Sequence, residues 1–181
     1  MKTVILAALG ANNVIGNGLT LIPPLDGDLP RFKERTKESN SLVVVGSTTF
    51  NTFPRIKGAV LPGRNIAVLT SNRGLELGEI GSRDLWTADS VESLLQKASA
   101  KGYSVLWVCG GAVVYDEFVR GGLVDEMILT MHNKSYDGDK LFPTIVAEDW
   151  VEAYKDDCFI GGYERKLVSL TNKKDLRVQV L

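Results

Sequence analysis

Five short runs of aliphatic and β-branched residues limit what this chain can fold into: VILAAL (4–9), LVVVG (42–46), NIAVLT (65–70), VLWVCGG (105–111) and EMILTMH (126–132). Each is continuously apolar rather than alternating, the pattern of strands covered on both faces. Helices are expected between them, at about 28–38, 48–53, 90–101 and 112–120. Strand and helix in alternation predict an α/β fold with a central, mainly parallel sheet and flanking helices. Beyond residue 125 the pattern changes to VEAYKDD (151–157) and YERKLVSL (163–170) around Gly161 and Gly162, which predicts an antiparallel C-terminal hairpin on the same sheet. No repeat, low-complexity tract or linker divides the 181 residues, so a single domain over 1–181 is expected.

Composition narrows the function by exclusion. The formal charge is -1, so no basic field marks a nucleic-acid or membrane partner, and a single histidine, His132, rules out a multi-histidine metal or relay system. Small molecules are the expected partners. Cys109 and Cys158 form neither a disulfide framework nor a CxxC pair, which fits a reducing cytoplasm. The opening MKTVILAALGANN has too short an apolar run, and no clear cleavage site, for a signal peptide; a buried first strand is expected instead. No stretch approaches the roughly 18–20 apolar residues of a spanning helix.

In open α/β sheets ligands collect beyond the carboxyl ends of the parallel strands. Four such loops carry unusual chemistry. NNVIGNGLTLIPPLDGD has glycines at 16 and 18 among apolar residues, including Ile15, and is expected to be a loop able to close over a ligand. VVVGSTTF places Ser47, Thr48 and Thr49 at a helix start, where hydroxyls and free N–H groups suit a phosphate as well as simple capping. VLTSNRG supplies Thr70, Ser71 and Arg73, hydroxyls beside a cation. VLWVCGGAVVYDEF runs through Cys109 into Gly110 and Gly111, then Ala112, Val113 and Tyr115; paired glycines permit a pyrophosphate's close approach or just a tight turn. Together the strand ends favour a dinucleotide.

DGDLPRFKERT raises a separate question. With a helix opening near Asp26, Pro30 is harmless in the first turn and Asp28 shares a stripe with Phe32 at i, i+4. Asp28 is then either a solvated capping carboxylate or an acid facing an apolar stripe, suited to holding or relaying a proton.

These residues resemble the dihydrofolate reductase family. AALGANNVIG, GDLPRFKERT, VVVGSTTF, LPGRNIAVLTS, VCGGAVVYDEF, LTMH and GDKLFP follow one another in that family's order through most of the chain. The resemblance implies NADPH-dependent reduction of 7,8-dihydrofolate, with hydride delivered to C6 and a proton to N5, by a cytoplasmic monomer open to antifolates. It implies that Asp28, supported by Thr130, binds the amino-pyrimidine edge of the pterin and promotes protonation. Leu6, Ala7, Leu29, Phe32 and Phe53 would wall the folate pocket, and Arg64 would pair with the glutamate tail, a task suited to a planar guanidinium. Ala8, Ile15, Gly16, Thr49, Gly110, Gly111 and Tyr115 would flank the nicotinamide and phosphates, with Ser71 at the adenosine ribose.

The chain also departs from the family pattern. Ile22-Pro23-Pro24 stands where the mobile loop usually carries Pro-Trp, removing an indole beside the acid. Ser47 and Val113 occupy positions that are usually basic, which leaves Arg73 to hold the cofactor's 2′-phosphate. FPRIKGAVLPGR is longer than usual before Arg64. Two alternatives remain at this point. A riboflavin-type pyrimidine reductase would need cationic phosphate contacts rather than an acid on the Phe-bearing helix, and a non-catalytic relative would keep the fold and bind a nucleotide or partner.

Overall fold

In the computed structural model the strand β1 (Lys2–Leu9) runs through the middle of an eight-stranded sheet. The structure describes residues 1–172 except 26, 39, 57, 58, 73, 76, 78–83, 161 and 162, and describes 55, 56, 59, 147, 153–160, 163–169 and 172 by backbone alone. Across the sheet the order is β12 (Trp150–Ile160), β13 (Tyr163–Asn172), β10 (Glu126–His132), β1, β9 (Val105–Val108), β4 (Ser41–Gly46), β7 (Asn65–Leu69) and β8 (Asp84–Ala88). Every pair from β10 to β8 is parallel, while β13 and β12 add antiparallel at the other edge. The expected mixed sheet with a C-terminal hairpin is therefore what forms.

The continuous apolar runs have a simple physical reason. Successive side chains alternate between faces, and both faces are packed. Ile5, Leu42, Val44, Leu106 and Leu129 face one core with Leu94 and Ala98 of α3 (Val91–Ala100) and Phe118 of α4 (Ala112–Arg120). Val4, Val43, Val45, Trp107 and Ile128 face the other core with Phe50 of α2 (Ser47–Thr52).

Local chemistry shifts some boundaries. The first helix, α1, spans Asp28–Arg35 rather than opening near 26, because its N-cap is Gly27 at φ 89°, a left-handed conformation natural to glycine. It stops before 38, where the Thr36 hydroxyl donates to the Phe32 carbonyl at 2.6 Å. Strand β9 ends at Val108 instead of 111; Gly110 takes φ 114° and the Gly110–Gly111 peptide is cis.

The loop after β1 is more structured than expected. It contains β2 (Val14–Asn17) and β3 (Thr20–Leu21), which pair with each other and, through β2, with β11 (Lys140–Leu141). Its Gly18 N–H donates to Asp139 Oδ1 at 2.8 Å. Strand β8 and the short pair β5 (Arg55–Ile56) and β6 (Ala59–Val60) carry no pattern long enough to foresee.

Phe118 is fully buried where α4 meets the sheet. Phe118→Ala is expected to cost about 3–5 kcal/mol through lost burial and a residual cavity, measured as a lower urea midpoint with an unchanged slope.

Candidate active site

Asp28 is the first residue of α1, and its carboxylate does not cap that helix. Oδ2 instead accepts the Leu25 N–H at 2.9 Å, from the segment leading into the helix. Oδ1 accepts the Thr130 hydroxyl at 3.1 Å, across 102 residues of sequence. A third contact was missed in the sequence: Arg31, one turn on, places Nη1 3.5 Å from Oδ1. Its signal was the i, i+3 spacing of opposite charges. The Asp28 side chain is only 11% exposed, so these donors replace most of its water.

Thr130 reaches this carboxylate because β10 lies beside β1 and alternation turns Thr130 to the same face as Ile128. On β1, Leu6, Ala7 and Ala8 are half-buried, as are Phe32 on α1 and Phe53 just after α2, whereas Leu29 is exposed. Leu6 and Phe53 pack on the same core as Ile128. Of the predicted wall, Leu6 and Phe53 thus share the sheet face of Thr130, Ala7 packs on the opposite core with Leu129, and Leu29 opens to solvent.

Arg64, immediately before β7, reaches the far end of α1 and is 6% exposed. Its Nε donates to Thr36 Oγ1 at 3.2 Å, Nη1 to the Pro62 carbonyl at 3.0 Å and Nη2 to the Lys33 carbonyl at 3.5 Å. Burial lowers the guanidinium pKa from its ordinary value, but an arginine remains charged at neutral pH. The side chain thus clamps the end of α1 to the turn before β7.

A groove of about 870 Å³ runs at the carboxyl ends of β4, β7 and β9, and neither Asp28 nor Thr130 is among its lining residues. Ile15, Gly16, Ser47, Thr48, Thr49, Thr70, Ser71, Gly111, Ala112 and Val113 line it, as the sequence predicted for a cofactor. Ala8, Cys109, Gly110 and Tyr115 are not among its lining residues. Tyr115 is buried and donates its hydroxyl to the Leu6 carbonyl at 3.1 Å, joining α4 to β1. Burial pushes up both its phenol and the Cys109 thiol. Arg73 lies outside the described residues.

The groove fits a dinucleotide in three ways. Its volume is within the range of small-molecule pockets, about 300–1,000 Å³. Its glycines bring backbone close: a Cβ on Gly111 would stand 2.9 Å from Thr49 Oγ1. Finally, α4 has Gly111 as its N-cap and no side chain capping its first N–H groups, which are suited to anionic oxygens. The sequence missed Asp89, Ser90 and Val91 at the far end. They arrive there because the unforeseen β8 carries the start of α3 to the groove; the Ser90 and Ser93 capping pair was the available signal. Lys140 also lines the groove.

A family model described as dihydrofolate reductase matches residues 2–161. The chain belongs to the dihydrofolate reductase family. It is 33% identical over 171 residues to the dihydrofolate reductase HdrB of Haloferax volcanii, covering 92% of this chain and 84% of that protein. Against the dihydrofolate reductase of Haemophilus influenzae it is 26% identical over 176 residues, 96% of this chain and all of that one. The solved structure of Enterococcus faecalis dihydrofolate reductase, complexed with NADP(H) and RAB-propyl, superposes with a TM-score of 0.78 at 27% identity, covering 94% of this chain and 96% of that chain. These dihydrofolate reductases favour NADPH-dependent reduction of 7,8-dihydrofolate to tetrahydrofolate as this chain's reaction, over the riboflavin-type and non-catalytic alternatives.

Proposed function

We propose that Asp28 is the acid–base centre of dihydrofolate reduction in this chain, with Thr130 orienting it. The hydrogen bond between them carries the reading: it fixes a largely buried carboxylate against the sheet. A pterin set against Leu6, Phe32 and Phe53 presents its amino-pyrimidine edge to Asp28. The ionised carboxylate favours the pterin protonated at N5, and Thr130 holds it in plane. Thr49, Ser71 and the N-terminus of α4 would hold NADPH, which when bound would supply the hydride for C6. Arg64 receives the glutamate tail's carboxylate while it clamps α1.

The hydroxyls of Ser47 and Thr70 and the Arg73 cation are left to select the 2′-phosphate, since Val113 brings no charge. The chain acts as a single-domain monomer in a reducing cytoplasm, a reading supported by one continuous sheet with both faces packed and by the free thiol of Cys109. There it feeds tetrahydrofolate to one-carbon transfer and meets diaminopyrimidine antifolates at Asp28.

Three outcomes are expected. Asp28→Asn keeps NADPH affinity but loses about 10²- to 10⁴-fold in dihydrofolate reduction at neutral pH, recovering partly in acid. Wild-type turnover followed by NADPH absorbance would return Asp28 to a structural role. NADPH outperforms NADH in kcat/KM by about tenfold to a hundredfold, the size of one charge-assisted pair, and Arg73→Ala erases most of that margin. Equilibrium sedimentation gives the mass of one chain, and a dimer mass would correct the monomer assignment.

A further inference from the structure

The chain's one histidine stands beside this machinery. His132 follows Thr130 by two residues on β10, so alternation turns both side chains to the sheet face that carries Asp28. It is 2% exposed. Nδ1 lies 2.9 Å from the Tyr136 hydroxyl, and the two rings meet edge to face with centroids 5.5 Å apart. Nε2 is fully buried and has no hydrogen-bond partner among the described residues. The ring is thus held through Nδ1, with Nε2 buried against the sheet face that carries the acid.

The surrounding charges define what its protonation would do. On α1 they are Asp28 and Arg31, already 3.5 Å apart. In the loop after β10, Tyr136 holds the ring, with Lys134 Nζ 5.4 Å from the Tyr136 ring centroid. On β13, Arg165 is the backbone register partner of His132. Burial lowers the imidazole pKa from its ordinary value, and the Asp28 charge pulls it in the opposite direction. Burial thus disfavours the protonated ring, which is tied to the site through β10, two residues from the Thr130 that donates to Asp28.

We propose that His132 is a positioning residue acting through Asp28: neutral, it leaves the carboxylate's charge to the protonated pterin; protonated, it takes that charge for itself. This rests on the role of Asp28 proposed above. One proton moves, from solvent to the ring, leaving an imidazolium near the carboxylate. That cation opposes the positive charge developing at N5, so acid slows the reduction it would otherwise assist. The same protonation is linked to stability. Because the folded pKa lies below the unfolded one, the unfolded chain binds the proton first, and stability is lost as pH falls through about 6.5.

The single histidine gives a direct test, since its ring C2 proton is one NMR resonance. In wild type its titration midpoint is expected on the acid side of the ordinary imidazole value, moving further toward acid in Asp28→Asn; an unmoved midpoint overturns the coupling. Neither His132→Gln nor His132→Leu titrates here. Their kcat/KM relative to wild type is expected to rise roughly threefold to tenfold between about pH 8 and about pH 5. A ratio independent of pH in both, with wild type active, overturns the proposal; a change confined to the pH dependence of melting would then assign His132 to the fold alone. A wild-type chain that reduces no dihydrofolate at any pH would instead overturn the functional reading, while leaving the NMR result interpretable.

Discussion

A carboxylate can lie against the face of a sheet only where donors replace the water it gives up. Asp28 meets that condition with the Leu25 N–H on one oxygen and the Thr130 hydroxyl on the other. Together the two bonds join the approach to α1, the start of α1 and a central strand more than a hundred residues later. The helix has no fully buried residue of its own, so apolar packing alone does not anchor it. Arg64 secures its other end through Thr36 and the Lys33 carbonyl. Polar bonds at both ends thus set the wall against which the pterin would lie.

The groove depends on backbone rather than on charge. Glycines at 46, 110 and 111 bring β4 and the start of α4 together, with the Gly46 N–H donating to the Gly110 carbonyl at 2.7 Å. The polar side chains that line it are mostly hydroxyls, beside Asp89, Glu117 and Lys140, and a hydroxyl can donate to a phosphate oxygen without fixing a charge of its own. The segment after β1 covers the groove while tied to Asp139 and β11. Its inner surface is consequently positioned by bonds made well outside the acid site.

Much of this was legible because it follows from short-range patterns. The buried strands announced themselves as unbroken apolar runs, and the Ser-Thr-Thr and Gly-Gly junctions as backbone features that glycine and hydroxyl residues favour. Strand β8 was not legible: Asp84–Ala88 has neither the length nor the apolar continuity of its neighbours, being an edge strand. Missing it meant missing Asp89 and Ser90 at the groove. The hydrogen bonds of β2, β3 and β11 were hidden for another reason, since β11 lies more than a hundred residues from β2 and contributes only two residues.

By itself the sequence determined the fold class, the order of its main elements and the chemical types present at each strand end, because periodicity and turn chemistry are local properties. It also supplied Asp28 at the start of a helix. Whether that carboxylate capped the helix or turned inward was undecidable locally, since a capping aspartate and a buried one occupy the same kind of position. Tertiary structure decided it by placing Thr130 opposite Oδ1. The same register turned His132 into the shared face, where its burial is a property of strand pairing that no neighbouring residue encodes.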